Sequence, residues 1–273
     1  MYKMILSDLD ETLLVNHHVP DFNVEAIEKA KALGVKFVPA TGRAYNMISE
    51  ILKEIGTYDQ DDEYSICFNG GLIVENKNDR ILHFKGLTFE QTKMMFDLGK
   101  NYDVCVLIFT LDCCYIFNAD PDEVQRKTDQ KAPFQVIDEY NMDFLKDDKI
   151  AKILFEKKDM PYLKNIEKEL KTYIEEGKIC ASYSSYRYLE FNALDVDKGY
   201  GLRWLANYLG YHQDEVIAVG DNYNDVEMIK EAGLGVCVLS AGEDIQELSD
   251  YVTTVDYDDG AVKEVIEKFV LEG

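Results

Sequence analysis

The sequence predicts an α/β fold, a doubly wound parallel sheet interrupted by an inserted α+β domain. Three observations predict it. Short apolar runs alternate with helical patterns over residues 4–71 and again over 201–270. Acidic or polar residues directly follow several of those runs. Between the two stretches the pattern changes to hairpins and long helices. Alternating strand and helix argues for right-handed crossovers and a parallel sheet.

Met4-Ile5-Leu6 is a first short strand ending in acids. Residues 23–33 carry Val24, Ala26, Ile27, Ala30 and Leu33 at helical spacing, and Gly34 stops them. Val35–Val38 is the next strand, closed by Pro39. Residues 47–55 again have a helical period, with Gly56 as the stop. Ser65–Phe68 is a third strand, closed by Asn69-Gly70-Gly71. The same grammar resumes near the end. Gly201–Leu209 is a helix ended by Gly210, Val216–Val219 a strand and Val226–Ala232 a helix. Leu234–Leu239 and Val252–Val255 are strands, and Ala261–Val270 is an amphipathic closing helix.

The middle reads differently. Thr88 and Gln91 form a capping box ahead of Met94, Met95 and Leu98. Val104–Phe109 and Cys114–Phe117 flank the turn-like Leu111-Asp112, which predicts a hairpin. Ile150–Phe155 is a strand, and Leu163, Ile166, Leu170 and Ile174 mark a long helix. Ile179–Tyr183 and Tyr186–Phe191 form another hairpin around Ser184-Ser185. The core is therefore expected at 1–83 and 189–273, and the inserted domain at 84–188.

Charge narrows the function. Across 273 residues, 29 Lys+Arg against 52 Asp+Glu leave −23, so nucleic acid and anionic membrane are not expected partners. Aromatics at 12% are too many for a disordered acidic tail. The stretch MYKMILSDLDETLL has acids at 8, 10 and 11, unlike a signal peptide, and Val104–Phe109 is far too short to cross a bilayer. The six cysteines form no CxxC pair and read as reduced, buried thiols of a cytoplasmic protein. With four histidines and neither HExxH nor GxSxG, zinc and Ser-His-Asp chemistry are disfavoured. The acidity is uneven: residues 84–190 carry 16 Lys+Arg and 20 Asp+Glu, a balance of −4, and the rest of the chain holds the remaining −19.

The residues that follow the strands carry the chemistry. They are Asp8-Leu9-Asp10-Glu11-Thr12, Thr41-Gly42-Arg43, Asn69-Gly70-Gly71 and Gly220-Asp221-Asn222-Tyr223-Asn224-Asp225. Ligands of open parallel sheets bind at the carboxyl ends of the strands. One crevice is thus expected to collect Asp8, Asp10, Asp221 and Asp225 with Thr41, Asn69 and Asn224. Converging carboxylates need a cation, and all-oxygen ligands point to Mg²⁺. Asp8 and Asp10, two apart on an extended chain, are expected to share one side about 6–7 Å apart. Gly42 and Gly220 are expected to let backbone N–H groups approach a phosphate. Lys198 supplies a cation at a helix start, where the helix dipole disfavours it.

These motifs resemble those of the haloacid dehalogenase (HAD) superfamily, specifically its Cof-type phosphatases. Asp8–Leu13, Thr41-Gly42-Arg43, Lys198-Gly199 and Gly220–Asp225 match the family's four ordered motifs. Asn69-Gly70 and Asp259-Gly260 also fall where the Cof-type pattern has them. The resemblance implies a Rossmann-like HAD core with an inserted type-IIB cap. It implies a Mg²⁺-dependent phosphatase acting on a small phosphorylated metabolite, a sugar phosphate or phosphorylated cofactor, through an aspartyl-phosphate. In it Asp8 is the nucleophile, Asp10 the proton donor and then the base. The metal set is Asp8, the Asp10 backbone carbonyl and Asp221, with Asp225 behind them. Thr41, Lys198 and Asn224, with backbone N–H groups near Leu9 and Gly42, hold the phosphoryl oxygens, and Arg43 and Asn69 lie at the rim towards substrate. Two positions depart from the family pattern: Glu11 stands where Gly is usual, and Ser240-Ala241 where Asn-Ala is usual.

Two alternatives use similar residues. A phosphotransferase or sugar phosphomutase of the same fold differs by excluding water after phosphorylation. A non-catalytic phospho-acceptor domain also joins acids, a Thr and a Lys on a parallel sheet, but lacks the second Asp of the DxD and an inserted cap. The sequence assigns neither the natural substrate nor an oligomeric state.

Overall fold

A computed structural model describes residues 1–130 and 132–272. It divides into two compact units, Met1–Phe84 with Asp197–Gly273, and Lys85–Val196.

The first unit opens with β1 (Met4–Ser7), α1 (Asp21–Ala32), β2 (Lys36–Pro39), α2 (Ser49–Glu54) and β3 (Tyr64–Cys67). The strands β4 (Leu72–Glu75) and β5 (Arg80–Phe84) follow, which the sequence pattern did not predict. They fold back on β3 as an antiparallel three-stranded sheet, and the short Asn76–Asp79 turn between them explains the missed reading.

The second unit begins with α3 (Phe89–Gly99), capped by Thr88 and Gln91 as expected. Then come β6 (Cys105–Thr110), β7 (Cys114–Phe117), α4 (Pro121–Asp129), β8 (Phe134–Ile137), β9 (Ile150–Glu156), α5 (Met160–Gly177), β10 (Ile179–Ser184) and β11 (Tyr188–Ala193). Its sheet runs β10-β11-β9-β6-β7-β8, and only the β7–β8 pair is parallel. Both expected hairpins are present, at β6–β7 and β10–β11. β11 pairs with β9 and β10, so this unit extends to Val196, past the junction expected at 188/189. One face of the sheet buries Phe155, Phe191, Ile108 and Val106 against Phe96 of α3 and Leu163, Ile166 and Leu170 of α5.

The chain returns to the first unit with α6 (Lys198–Leu209), β12 (Val216–Gly220), α7 (Val226–Glu231), β13 (Leu234–Cys237), α8 (Glu243–Gln246), β14 (Tyr251–Val252) and α9 (Ala261–Ile266). The sheet order is β14-β13-β12-β1-β2, all parallel. A parallel bridge between Ala40 and Ile66 carries the order on to β3. Met4 and Leu6 point into a cluster with Leu202, Leu205 and Ala206 of α6 and Met228 of α7. Ile5, alternating with them, faces the other side, where α1 packs on α9. These strands are buried on both faces, which is why they read as unbroken apolar runs.

All six cysteines are free thiols. Cys180 is exposed, against the expectation of buried ones, because it alternates outward on the edge strand β10. Among the described residues, no helix is long and apolar enough to cross a membrane.

Candidate active site

β1, β2 and β12 run parallel, so their carboxyl ends open on one edge. Asp8 is the first residue beyond β1. Its N–H donates to the Val219 carbonyl at 2.9 Å, extending the pairing with β12. The Leu9 carbonyl then accepts the N–H groups of Thr12, Leu13 and Leu14, and the chain doubles back. Glu11 lies in this turn at φ 58, exposed, in the left-handed region where glycine is at ease. The turn aims the Thr12 hydroxyl at Asp221, to whose Oδ1 it donates at 3.0 Å. Sequence reasoning assigned Thr12 no role, although it lies inside the first motif.

The loops after β2 and β3 form a second group. The Thr41 N–H donates to the Ile66 carbonyl, and the Thr41 carbonyl accepts the Asn69 N–H, each at 2.9 Å. The Thr41 hydroxyl accepts the Arg43 N–H at 3.1 Å. Asn69 has φ 52, a conformation that Asn tolerates better than most residues. Its side-chain oxygen accepts from Asn224 Nδ2 at 3.3 Å, joining this loop to the one after β12. A Cβ on Gly42 would lie 3.1 Å from that same oxygen, so the glycine makes room for Asn69.

At the centre is Lys198, fully buried in the first turn of α6. The Asp197 side chain caps this helix by accepting the Tyr200 N–H at 2.6 Å. Lys198 Nζ donates to Asp8 Oδ1 and, at 2.6 Å, to Asp225 Oδ1. The other Asp225 oxygen accepts the N–H groups of Asp221 and Asn222, each at 3.1 Å. A Cβ at Gly220 would fall 2.4 Å from the Asp225 side chain. The structure therefore gives Gly220 a different use from the one expected: it clears space for a carboxylate.

The carboxylates of Asp8, Asp221 and Asp225 each offer an oxygen within 4.8 Å of the others. Burial pushes the Asp8 carboxyl up to about 7, with Asp225 and Asp10 adding repulsion against the pull of Lys198. Burial and the Asp8 and Asp225 charges push Asp221 up to about 8. Burial alone would lower Lys198, but Asp225 and Asp8 hold its ammonium above the ordinary value. One lysine for three carboxylates leaves the cluster under-neutralised, and its donors are all oxygen. That combination suits a hard divalent cation, and Asp8, Asp221 and Asp225 are the groups that could hold one.

Asp10 and Arg43, given separate roles from the sequence, meet in the structure. The Asp10 carboxylate lies outside the three-carboxylate group and is gripped by Arg43, which donates from Nε at 3.0 Å and from a terminal nitrogen. Arg43 thus faces an acid of the same site. At the two outlying positions, Ser240 donates to Asp256 at 2.6 Å, and Gly260 adopts φ 101 as the cap of α9.

Comparison with known proteins agrees with this geometry. The model of the haloacid dehalogenase-like hydrolases matches residues 5–266. A Bacillus subtilis relative named "Putative phosphatase YxeH" is 31% identical over 276 residues, covering 99% of each chain. A second B. subtilis relative, 5-amino-6-(5-phospho-D-ribitylamino)uracil phosphatase YcsE, is 28% identical over 96% of this chain and 94% of its own. The crystal structure of a haloacid dehalogenase-like hydrolase from Bacteroides thetaiotaomicron has a TM-score of 0.86 at 28% identity, covering 98% and 99% of the two chains. The fold and site thus define a phosphoric monoester hydrolase with an α/β core and an inserted cap domain. The chain belongs to the haloacid dehalogenase-like hydrolases, among their Cof-type phosphatases.

Proposed function

We propose that this chain is a Mg²⁺-dependent phosphatase that hydrolyses a small phosphate monoester through an aspartyl-phosphate on Asp8. The observation that carries the reading is the Asp8–Lys198–Asp225 chain with Asp221 beside it, at the carboxyl ends of β1 and β12.

Asp8 Oδ attacks phosphorus, forming an O–P bond as the bond to the leaving oxygen breaks. Asp10 donates a proton to that oxygen. It then accepts one from the water that attacks the aspartyl-phosphate, releasing phosphate and restoring Asp8. Lys198 holds Asp8 in place and, with the Thr41 hydroxyl, Asn224 and the N–H groups near Leu9 and Gly42, meets the phosphoryl oxygens. Asp225 locks Lys198 and the loop after β12, and Thr12 orients Asp221. Mg²⁺ held by Asp8, Asp221 and the Asp10 carbonyl, with Asp225 behind them, would screen the attacking carboxylate from the charge of the phosphate.

The substrate class is a sugar phosphate or phosphorylated cofactor. Support comes from YcsE, named for a uracil that carries a phosphorylated ribityl group; other relatives are named for phosphoglycolate, a small phosphorylated acid, which supports only the broader class of small phosphorylated metabolites. The site of action is the cytoplasm, and the acidic surface disfavours nucleic acid and anionic membrane as partners.

The test is hydrolysis of p-nitrophenyl phosphate and a panel of sugar and cofactor phosphates, with Mg²⁺ and with EDTA. Turnover with Mg²⁺ that EDTA abolishes is expected, and full activity in EDTA overturns the metal assignment.

A further inference from the structure

The resemblance sets Arg43 towards the substrate, but its guanidinium is spent on Asp10. The contact is a two-point fork, Nε to Oδ2 at 3.0 Å and a terminal nitrogen to Oδ1. Such a fork fixes the plane of a carboxylate as well as its place. Asp10 needs that help. Its side chain is 54% exposed, while that of Arg43 is only 22% exposed. The Arg43 backbone is itself anchored: its N–H donates to the Thr41 hydroxyl at 3.1 Å and its carbonyl accepts the Phe68 N–H at 3.0 Å. The guanidinium is therefore presented from a fixed base and ties the loop after β2 to the loop after β1.

We propose that Arg43 is a positioning residue for proton transfer, orienting the Asp10 carboxyl towards the leaving oxygen of the ester and not binding the substrate itself. The inference rests on the reading of Asp10 as proton donor. It makes a prediction that phosphate binding does not. A phenolate leaves without a proton, whereas an alkoxide needs one. Loss of the fork should therefore harm alkyl esters and largely spare aryl esters.

The experiment compares kcat/KM for p-nitrophenyl phosphate with that for the sugar phosphate the wild type turns over fastest. It uses the wild type, Arg43→Lys, Asp10→Asn and the double variant. The ratio of the two constants does not depend on how much of a preparation is folded. Arg43→Lys keeps the charge and loses the fork. It is expected to lower the alkyl ester by roughly 10- to 100-fold and the aryl ester by less than about 3-fold, a part of the full general-acid effect. In the Asp10→Asn background it should cost nothing further on the alkyl ester, since the two residues act as one unit. Equal losses on both esters, or a loss that persists without the Asp10 carboxyl, overturn the positioning role. If Asp10→Asn itself lowers both esters equally, the proton-donor reading of Asp10 fails first, and the inference falls with it.

Discussion

In the first unit Asp8, Asp221 and Asp225 share a single lysine, Lys198. In the second unit three buried glutamates have three buried cations. Glu190 pairs with Lys152 at 2.7 Å and Glu156 with Arg187 at 2.9 Å, while Glu123 meets Lys127 at 3.3 Å and Arg187 at 3.4 Å. Burial opposes ionisation in both places, and the outcomes differ. Lys152 overcomes burial and holds Glu190 below its usual value, whereas burial still raises Glu156 against the pull of Arg187. Lys198 does not overcome it for Asp8, which is pushed up to about 7. A buried carboxylate with its own cation is a structural part. A buried surplus of carboxylates fits the proposed divalent cation.

Several experiments can break or sharpen this contrast. The largest effect expected is from Asp8→Asn, which should reduce turnover of p-nitrophenyl phosphate by roughly 10⁴-fold or more while the circular dichroism spectrum stays native. Near-normal turnover would remove Asp8 from the chemistry. Chelation comes next: EDTA should lower kcat by at least about 100-fold, and added Mg²⁺ should restore it.

Stability should then move in opposite directions in the two units. Lys152→Met leaves Glu190 buried without its cation and should cost about 3 kcal/mol in chemical denaturation. Asp221→Asn relieves repulsion, keeps the Thr12 hydrogen bond, and should stabilise the metal-free protein by about 1 kcal/mol. Losses of equal sign and size would erase the distinction.

A further effect is on pH. Burial and mutual repulsion raise the Asp8 and Asp221 carboxyls from the ordinary 3.8 to about 7 and about 8 in the folded protein. Folded values raised in this way mean stability that is complete below the unfolded value and lost as pH climbs through the folded ones. Melting of the metal-free protein should therefore fall between about pH 4 and about pH 8, and Mg²⁺ should flatten the decline. A metal-free protein that gains stability over that range would contradict it.

The central strands of the core were legible because they are buried on both faces and read as apolar runs, and two of them, β1 and β12, are followed directly by an acid. That pattern pointed to Asp8 and Asp221, which the structure places in one carboxylate cluster. The polar elements were harder to see. α4 offers only Val124 as an apolar residue and packs through Glu123 and Lys127, although Asp120 and Pro121 mark its start. β4 and β5 interrupt the strand–helix alternation that identified their neighbours. Within the site, residue type and order were legible, but side-chain direction was not. Nothing in the spacing of Thr41-Gly42-Arg43 says that Arg43 turns onto Asp10, or that Gly220 exists to admit Asp225. Those facts depend on turns such as the left-handed Glu11 and Asn69, which set directions that a linear pattern does not carry.

The three-carboxylate cluster is short of positive charge, and a divalent cation is proposed to complete it. The most direct test is thermal melting of EDTA-stripped protein near pH 8, with and without Mg²⁺, for the wild type and Asp221→Asn. A clear rise in Tm with Mg²⁺ is expected for the wild type and little or none for Asp221→Asn, whose metal-free form should melt higher at the outset. Equal Mg²⁺ shifts in the two proteins, or no shift in either, would contradict it.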